Sequence, residues 1–129
     1  MKLVLDTNAY SALMRNDPAI MEFARSATAL FLPAPVLGEI LFGINAGSRA
    51  QNNKQKLRRF LSAPFVHFAA TDETVCERYA LIAHQLRRKG RPIPTNDIWI
   101  AAHALALGAD LLSQDQHFSH IDGLSWLHA

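Results

Sequence analysis

The sequence of 129 residues contains one cysteine, Cys76, so it can form neither an intrachain disulfide nor a zinc site built on several thiolates. It also lacks a long apolar run, because the longest, Ile98–Leu107, contains His103 and falls well short of the ~20 residues that span a bilayer. Asp6 lies where a secretory signal peptide needs uninterrupted apolar residues. These absences predict a cytoplasmic protein without a membrane helix.

An excess of charge of one sign is also missing. Charged residues make up 19% of the chain, and 13 Lys and Arg against 11 Asp and Glu leave a net charge of +2. This total is too small to indicate nucleic-acid binding by itself. No Gly-x-Gly pattern occurs, which excludes a dinucleotide-binding module. The apolar content of 50% predicts one packed domain, since a domain commonly spans roughly 150 residues.

Short apolar segments alternate with longer helical ones along the chain. The predicted strands are Lys2–Asp6, Ala29–Leu32, Phe65–Ala69, Leu111–Ser113 and, at the sheet edge, Leu124–Leu127. The predicted helices are Ala9–Arg15, Pro18–Ala27, Pro35–Gly47, Ser48–Leu61, a long helix capped by Thr71 that ends at Lys89, and Asp97–Leu107 capped by Thr95 or Asn96. This alternation predicts the α/β class: a single domain over residues 1–129, with a mostly parallel sheet of four to five strands and helices on both faces.

Four acidic residues fall where predicted strands end or where helices begin. Asp6 ends the first strand and Asp115 follows the fourth, while Glu39 and Asp97 lie in the first turns of helices that start at the same sheet edge. Like charges brought together destabilise each other unless a cation neutralises them, and oxygen ligands suit hard cations. A shared site therefore predicts Mg²⁺ or Mn²⁺. Taken singly, each acid could instead be a helix cap or an Asx turn.

Four ordered motifs resemble those of a known family. Leu-Asp-Thr-Asn at 5–8, Gly-Glu at 38–39, Asn-Asp-Ile-Trp-Ile-Ala-Ala at 96–102 and Leu-Ser-Gln-Asp-Gln-His-Phe at 112–118 resemble, in order and spacing, the motifs of PIN-domain ribonucleases. The resemblance is to the VapC-type toxins of bacterial toxin–antitoxin modules in particular, and it covers nearly the whole chain.

This resemblance implies an endoribonuclease toxin that uses Mg²⁺ or Mn²⁺ to hydrolyse RNA phosphodiester bonds, with tRNA among its candidate substrates, and so inhibits translation. It also implies a homodimer and a cognate VapB-like antitoxin that neutralises the toxin. The catalytic and metal-binding acids that it implies are Asp6, Glu39, Asp97 and Asp115. Asn8 matches the polar residue that supports the first acid in the family, and Ser113, where the family more often has threonine, is expected to help at the metal site.

Two stretches of the sequence contain several basic residues and no acid. No acid occurs between Glu39 and Asp72 or between Glu77 and Asp97. The candidate RNA-binding residues in these intervals are Lys54, Lys56, Arg58, Arg59, Arg87, Arg88 and Lys89. The alternative is that they form ordinary solvated helix faces. A basic rim beside the acidic site would favour the first interpretation.

The remaining polar and aromatic residues are expected to be structural. We expect His117 to anchor the turn at Phe118 rather than to ligate the metal, and His84 and His103 to pack within apolar helices. The other expected buried residues are Cys76, Trp99, Phe118 and Trp126.

Two other classes of protein share features with this sequence. A phosphate-signalling receiver domain also has an acidic Mg²⁺ pocket, but it needs paired acids after the first strand and a lysine after a late strand. Here Thr7 follows Asp6, and residues 113–119 contain no lysine. A catalytically silent RNA-binding PIN domain is a further alternative, against which the four acids argue.

Two predicted helices, around Tyr10–Met14 and Val36–Ile44, carry more apolar residues than one core-facing stripe requires. The surplus residues are Leu13, Met14, Leu41, Phe42 and Ile44. Surplus apolar surface is typical of an interface, so these helices are predicted to contact a partner.

Overall fold

A computed structural model describes residues 1–129, and its elements follow the predicted alternation. The strands are β1 (Lys2–Leu5), β2 (Ala29–Pro33), β3 (Val66–Ala69), β4 (Asp110–Ser113) and β5 (Trp126–His128). The helices are α1 (Thr7–Met14), α2 (Pro18–Ser26), α3 (Ala34–Ala46), α4 (Ala50–Ser62), α5 (Glu73–Lys89) and α6 (Thr95–Leu107), and a 3-10 helix covers Gln116–His120. None of these helices combines the length and apolar character that crossing a membrane requires.

The five strands form one parallel sheet in the order β3-β2-β1-β4-β5. The predicted α/β class is therefore confirmed, and the fifth strand is present at the edge. β1 lies beside β4, with Leu5 paired to Leu112. Because the two strands run in the same direction, the segments that follow them leave the sheet at the same edge.

The centre of the sheet forms the core. Leu3, Val4 and Leu5 are completely buried, as expected for a parallel strand covered on both faces. Helix α6 contributes small buried side chains, including Ala101 and Ala102, which allow its backbone to pack closely against its neighbours. This packing holds the first turn of α6 in a fixed position relative to the ends of β1 and β4.

Helix α1 begins earlier than predicted. Its N-cap is Asp6, whose Oδ1 accepts a hydrogen bond from the backbone amide of Ala9 at 2.8 Å, so the helix starts at Thr7. The predicted start at Ala9 was therefore two residues too late. A carboxylate at the strand end satisfies a free amide of the first helical turn, so the chain needs no intervening turn residue.

The caps of two later helices also differ from the prediction. Asp72 rather than Thr71 caps α5, and its Oδ1 accepts the amide hydrogen of the residue three positions later at 3.0 Å. Neither Thr95 nor Asn96 caps α6, because the helix follows Pro94 without a side-chain cap. Proline has already fixed its own φ near the helical value, which favours the turn that leads into the helix.

Whether a residue predicted to be packed inside is buried depends on which face its helix turns towards the core. His103 is completely buried, as expected, and its Nε2 lies 2.8 Å from Oγ1 of Thr71. Phe118 is buried as well. Cys76 and His84 are exposed, so both were wrongly predicted to be packed inside. The reason is that α5 is a surface helix and points only one narrow stripe towards the core.

The two tryptophans are half-buried rather than central to the core. Trp99 stacks on Tyr79 with ring centroids 4.0 Å apart, which joins α6 to α5. The indole Nε1 of Trp126 donates a hydrogen bond to the carbonyl of Ser113 at 3.1 Å. Both rings therefore brace elements that carry candidate site residues.

The predicted surplus of apolar residues is only partly present at the surface. Phe42 is 76% exposed on α3, whereas Ile44 belongs to the core. Leu13, Met14 and Leu41 are half-buried. The prediction was wrong for Ile44, because α3 and α4 pack together and enclose it.

Candidate active site at the carboxyl edge of the sheet

Asp6 directly follows the central strand β1, at the sheet edge where the acids were predicted to meet. It is 4% exposed. Its backbone amide donates to the carbonyl of Leu112 at 3.4 Å, so the residue is held against β4. Since Oδ1 caps α1 through the amide of Ala9, the orientation of the carboxylate is fixed and Oδ2 remains for a second contact.

Ser113 provides that second contact. This residue ends β4 and is completely buried. Its hydroxyl donates a hydrogen bond to Oδ2 of Asp6 and accepts one from the backbone amide of Asp115 at 2.9 Å. One hydroxyl therefore joins the first acid to the segment that carries another, and this gives Ser113 a positioning role.

The other acids come together across two helix starts. Asp97 lies in the first turn of α6, and Asp115 caps the 3-10 helix by accepting the backbone amide of His117 at 2.9 Å. Nδ1 of His117 lies 2.9 Å from Oδ2 of Asp97 and 3.0 Å from Oδ1 of Asp115. One ligand atom from each of these three residues falls within 4.8 Å of the others.

Glu39 lies outside this tight cluster. It is exposed on α3 and lines a groove between α1, α3 and α4, together with Thr7 and Lys56. Its charge nevertheless acts on the cluster, because it raises the pKa of Asp97. The structure therefore brings Asp97 and Asp115 into direct proximity, links Asp6 to them through Ser113, and leaves Glu39 on the rim.

Burial and the charges of neighbouring acids both act on Asp6, the most buried of the four acids. Burial raises the pKa of Asp6 above its usual range, while the hydrogen bond from Ser113 opposes that rise. The charges of Asp97 and Asp115 raise the pKa further. The ionised form of Asp6 is therefore disfavoured by both burial and like charge.

Asp97 and His117, on the more exposed side of the site, shift each other's pKa. Burial raises the pKa of Asp97, the hydrogen bond to His117 lowers it, and Asp115 raises it. The hydrogen bond to Asp97 raises the pKa of His117. The imidazole thus partly compensates the acids that it contacts.

These residues fit a divalent cation. The donor set combines carboxylate oxygens with one ring nitrogen. Burial is the main cause of the raised pKa of Asp6 and of Asp97, and the charges of neighbouring acids add to it, so a cation would relieve the like-charge part. Oxygen-rich sites favour Mg²⁺ and Mn²⁺. Asp97 and Asp115 are the acids best placed to hold such an ion directly.

Some candidate residues lie apart from this cluster. Asn8 is exposed in the first turn of α1, and no hydrogen bond joins its side chain to Asp6. Lys89 is engaged elsewhere, because its Nζ lies 2.5 Å from Oδ1 of Asp122 and donates to the carbonyl of His120 at 3.1 Å. An RNA contact by Lys89 would have to compete with this ion pair.

The remaining basic candidates are exposed on α4 and at the end of α5. Lys54 and Arg58 share one surface of α4, and Lys56 reaches the groove that contains Glu39. Arg87, at the end of α5, lines a groove with Ile98, the residue that follows Asp97. Arg59 and Arg88 are exposed on the same two helices.

His117 is a residue of the acidic cluster that sequence reasoning did not include among the candidates. It was expected to anchor the turn at Phe118, yet its ring contacts two of the candidate acids. Its position two residues after Asp115 was the available signal. The tight 3-10 turn brings that side chain back over its own cap, which an extended loop would not do.

The sequence matches the PIN domain family over residues 3–124. It is 35% identical over 127 residues to ribonuclease VapC1 of Haemophilus influenzae strain R2866, covering 95% of this chain and 94% of that protein. The structure of VapBC-1 from nontypeable Haemophilus influenzae contains a chain that superposes with a TM-score of 0.87 at 29% identity, covering 99% and 98% of the two chains. VapBC2 from Rickettsia felis, bound to a DNA fragment from its promoter, contains a chain of the same fold with a TM-score of 0.87 at 24% identity, covering 100% of this chain and 99% of that one. The chain therefore belongs to the PIN-domain family and, within it, to the VapC ribonucleases.

Proposed function

We propose that this protein is the endoribonuclease toxin of a toxin–antitoxin module, uses Mg²⁺ or Mn²⁺, and is neutralised by a VapB-like antitoxin. The observation that carries the proposal is the convergence of Asp97 and Asp115, with Asp6 tied to them through Ser113, at one sheet edge. The identity of 35% with a protein named ribonuclease VapC1 supports it over nearly the full chain.

The acids would act through a bound cation. Such an ion, when bound, lowers the pKa of its water and stabilises charge on a phosphodiester. Asp97 and Asp115 would hold the ion, and Ser113 keeps Asp6 oriented towards them. Glu39, on the rim, adds negative charge that favours a cation at the site.

RNA would reach this edge between two basic helices. Lys56 on α4 lines the same groove as Glu39, and Arg87 at the end of α5 lines a groove with Ile98, the residue that follows Asp97. Phosphate contacts from such side chains position a nucleic acid without selecting its sequence. The similarity to a protein named ribonuclease VapC1 supports RNA as the substrate class, with tRNA among the candidates, cut in the cytoplasm so that translation stops.

The antitoxin would occupy the groove between α1, α3 and α4. This groove has a volume of about 330 Å³ and combines apolar walls, including Met14 and Ile44, with two cations, Arg15 and Lys56, against one acid, Glu39. An antitoxin segment with apolar and acidic side chains would complement it. Phe42, which is 76% exposed on α3, is the candidate contact for a homodimer.

The test is cleavage of total RNA by the purified protein, with mapping of the cut ends. Cleavage is expected with Mg²⁺ or Mn²⁺ and is lost in chelator. Asp97→Asn and Asp115→Asn should abolish it and remain folded, whereas Asp17→Asn should not affect it. Asp17 is a suitable control because it caps α2 away from the site, and asparagine is an equally good cap. Cleavage that survives in chelator, or in both site variants, would contradict the proposal, and RNA binding without cleavage would favour a catalytically silent PIN domain.

A further inference from the structure

One side chain in the acidic site is not an acid. His117 extends from the 3-10 helix with its side chain 47% exposed, and its Nδ1 faces both Asp97 and Asp115. Its other ring nitrogen, Nε2, has no hydrogen-bond partner within the chain. Neither the acidic quartet nor the cleavage chemistry proposed above requires an imidazole at this place.

The spacing of these atoms matches that of ligands on a single metal ion. An octahedral ion holds its ligands about 2.1 Å away, so two neighbouring ligands lie about 3 Å apart. Nδ1 of His117 lies 2.9 Å from Oδ2 of Asp97 and 3.0 Å from Oδ1 of Asp115. The same distances suit hydrogen bonds, and an ion that enters the cluster would exchange those hydrogen bonds for coordination with little movement of the side chains.

We propose that His117 is a nitrogen ligand of the divalent cation, so that Asp97, Asp115 and His117 form a mixed site that selects transition-metal ions such as Mn²⁺ and Zn²⁺ over Mg²⁺. This proposal rests on the metal site assigned above. A site made only of carboxylates suits Mg²⁺, whereas imidazole is a good ligand for transition metals and a poor one for Mg²⁺. His117 is thus the residue that determines metal preference.

The position of His117 in the chain supports a ligand role. Its backbone amide is already fixed by Oδ1 of Asp115 at 2.9 Å, so the 3-10 turn holds the ring close to the acids before any ion arrives. Phe118, buried beside it, anchors the same turn in the core. A ligand that is held in place in advance loses little conformational entropy on binding.

The decisive experiment uses Mn²⁺ as a spectroscopic probe on the full chain. The protein is stripped with chelator and loaded with Mn²⁺, and electron spin echo envelope modulation is recorded to detect ¹⁴N bound directly to the ion. The parent is expected to show imidazole ¹⁴N coupling, and His117→Asn to lose it. Asparagine retains a hydrogen-bond donor close to the position of Nδ1, so the turn is preserved. His120→Asn is the matched control, because it lies in the same 3-10 helix outside the cluster, and it should keep the coupling.

Calorimetric titrations provide a second readout. His117→Asn should weaken Mn²⁺ and Zn²⁺ binding by roughly tenfold or more, since even residues that only support a metal ligand contribute about 10–100-fold to affinity. Mg²⁺ binding should change by less than about threefold, because Mg²⁺ gains little from imidazole.

The outcomes separate this inference from the proposed function. Mn²⁺ bound by the parent without ¹⁴N coupling, or coupling that persists in His117→Asn, overturns the ligand role. An equal loss of Mg²⁺ and Mn²⁺ affinity also overturns it, because His117 would then only orient the acids. If RNA cleavage still depends on Asp97 and Asp115, the proposed function stands in each of these cases. A parent protein that binds no divalent ion overturns both.

Discussion

The link between Asp6 and Asp115 through Ser113 gives a prediction that can be worked out from single contacts. Ser113→Ala removes a buried hydroxyl that donates to Oδ2 of Asp6 and accepts the amide of Asp115 at 2.9 Å. Asp6 loses the strongest of the hydrogen bonds that oppose the rise of its pKa by burial. We expect the variant to be less stable and less active, with its secondary structure intact.

The hydrogen bond from Ser113 to Asp6 accounts for most of the unfolding free energy that Ser113→Ala is expected to lose. A hydrogen bond to a charged group contributes about 1.5–3 kcal/mol to the free energy of unfolding. The Asp115 amide is only partly buried, so water can replace its partner at small cost. We therefore expect a loss of about 2 kcal/mol, which for a domain of this size lowers the melting temperature by roughly 5–10 °C.

The assay is urea unfolding in chelator, followed by circular dichroism, for the parent, Ser113→Ala, Asp6→Asn and the double variant. Removing the charge of Asp6 should reduce the cost of Ser113→Ala to about 1 kcal/mol, since neutral hydrogen bonds contribute less. The coupling energy between the two sites is then about 1 kcal/mol. Ser11→Ala serves as a control, because the Ser11 hydroxyl makes no hydrogen bond within the chain, and it should change stability by less than about 0.5 kcal/mol. RNA cleavage by Ser113→Ala should fall about 10–100-fold, as for residues that support metal ligands.

Two results would refute this reasoning. A change of less than about 0.5 kcal/mol in Ser113→Ala would mean that the hydroxyl contributes no more than a typical surface group. The absence of coupling in the double variant would mean that Ser113 acts independently of the Asp6 charge.

Three further predictions concern charge. Asp97→Asn should melt at a higher temperature than the parent in chelator and be stabilised less by Mg²⁺, because it deletes a half-buried charge that repels the other acids. The variant also loses a favourable interaction with the helix dipole of ~0.3–1 kcal/mol. A lower melting temperature together with an unchanged Mg²⁺ response would contradict this prediction. Burial lowers the pKa of His103, so the parent should lose stability as pH falls below about 6.5. In urea unfolding from pH ~7.5 to ~5.5, His103→Gln, which keeps a partner for Thr71, should lose less stability than the parent. Equal losses in the two proteins would contradict a lowered pKa of His103. Alanine substitution of the basic residues of α4 should reduce the slope of log K against log salt concentration for RNA binding by roughly 0.7 per lost phosphate contact. Lys89→Ala should leave this slope unchanged, because Asp122 already pairs with Lys89. An unchanged slope for the α4 variant would mean that α4 is an ordinary solvated helix face.

The parallel sheet was predictable because its central strands, β1 and β4, bury both faces. Leu3–Leu5 and Leu111–Leu112 are continuous apolar runs, and such runs alternating with helices leave few topologies. The order of the strands was not predictable from those runs alone. It depends on which helix covers which face, and therefore on contacts between residues far apart in sequence.

The acids were predictable for a related reason. A carboxylate that directly follows a buried strand must lie at the carboxyl edge of the sheet. The pairing of β1 with β4 places two such strand ends side by side. The role of His117 was not predictable in this way, because whether a side chain in a short turn points towards the core or towards a neighbouring helix depends on the turn type. Exposed Cys76 and His84 were misjudged for the same reason: apolar neighbours in sequence do not lie on the same face of a helix.

Asp6 and Asp115 are helix caps and candidate metal-site residues at the same time. Asp6 uses Oδ1 to cap α1 while Oδ2 faces Ser113, and Asp115 caps the 3-10 helix while lying within reach of Asp97. Helix N-termini stabilise ionised carboxylates, which offsets part of the repulsion between the acids when no ion is bound. The caps also fix the direction of each carboxylate through the backbone, so the ligands do not need to be ordered by the cation. Replacing a cap by a residue that still caps but carries no charge, as in Asp6→Asn, therefore separates the contribution to folding from the contribution to the site.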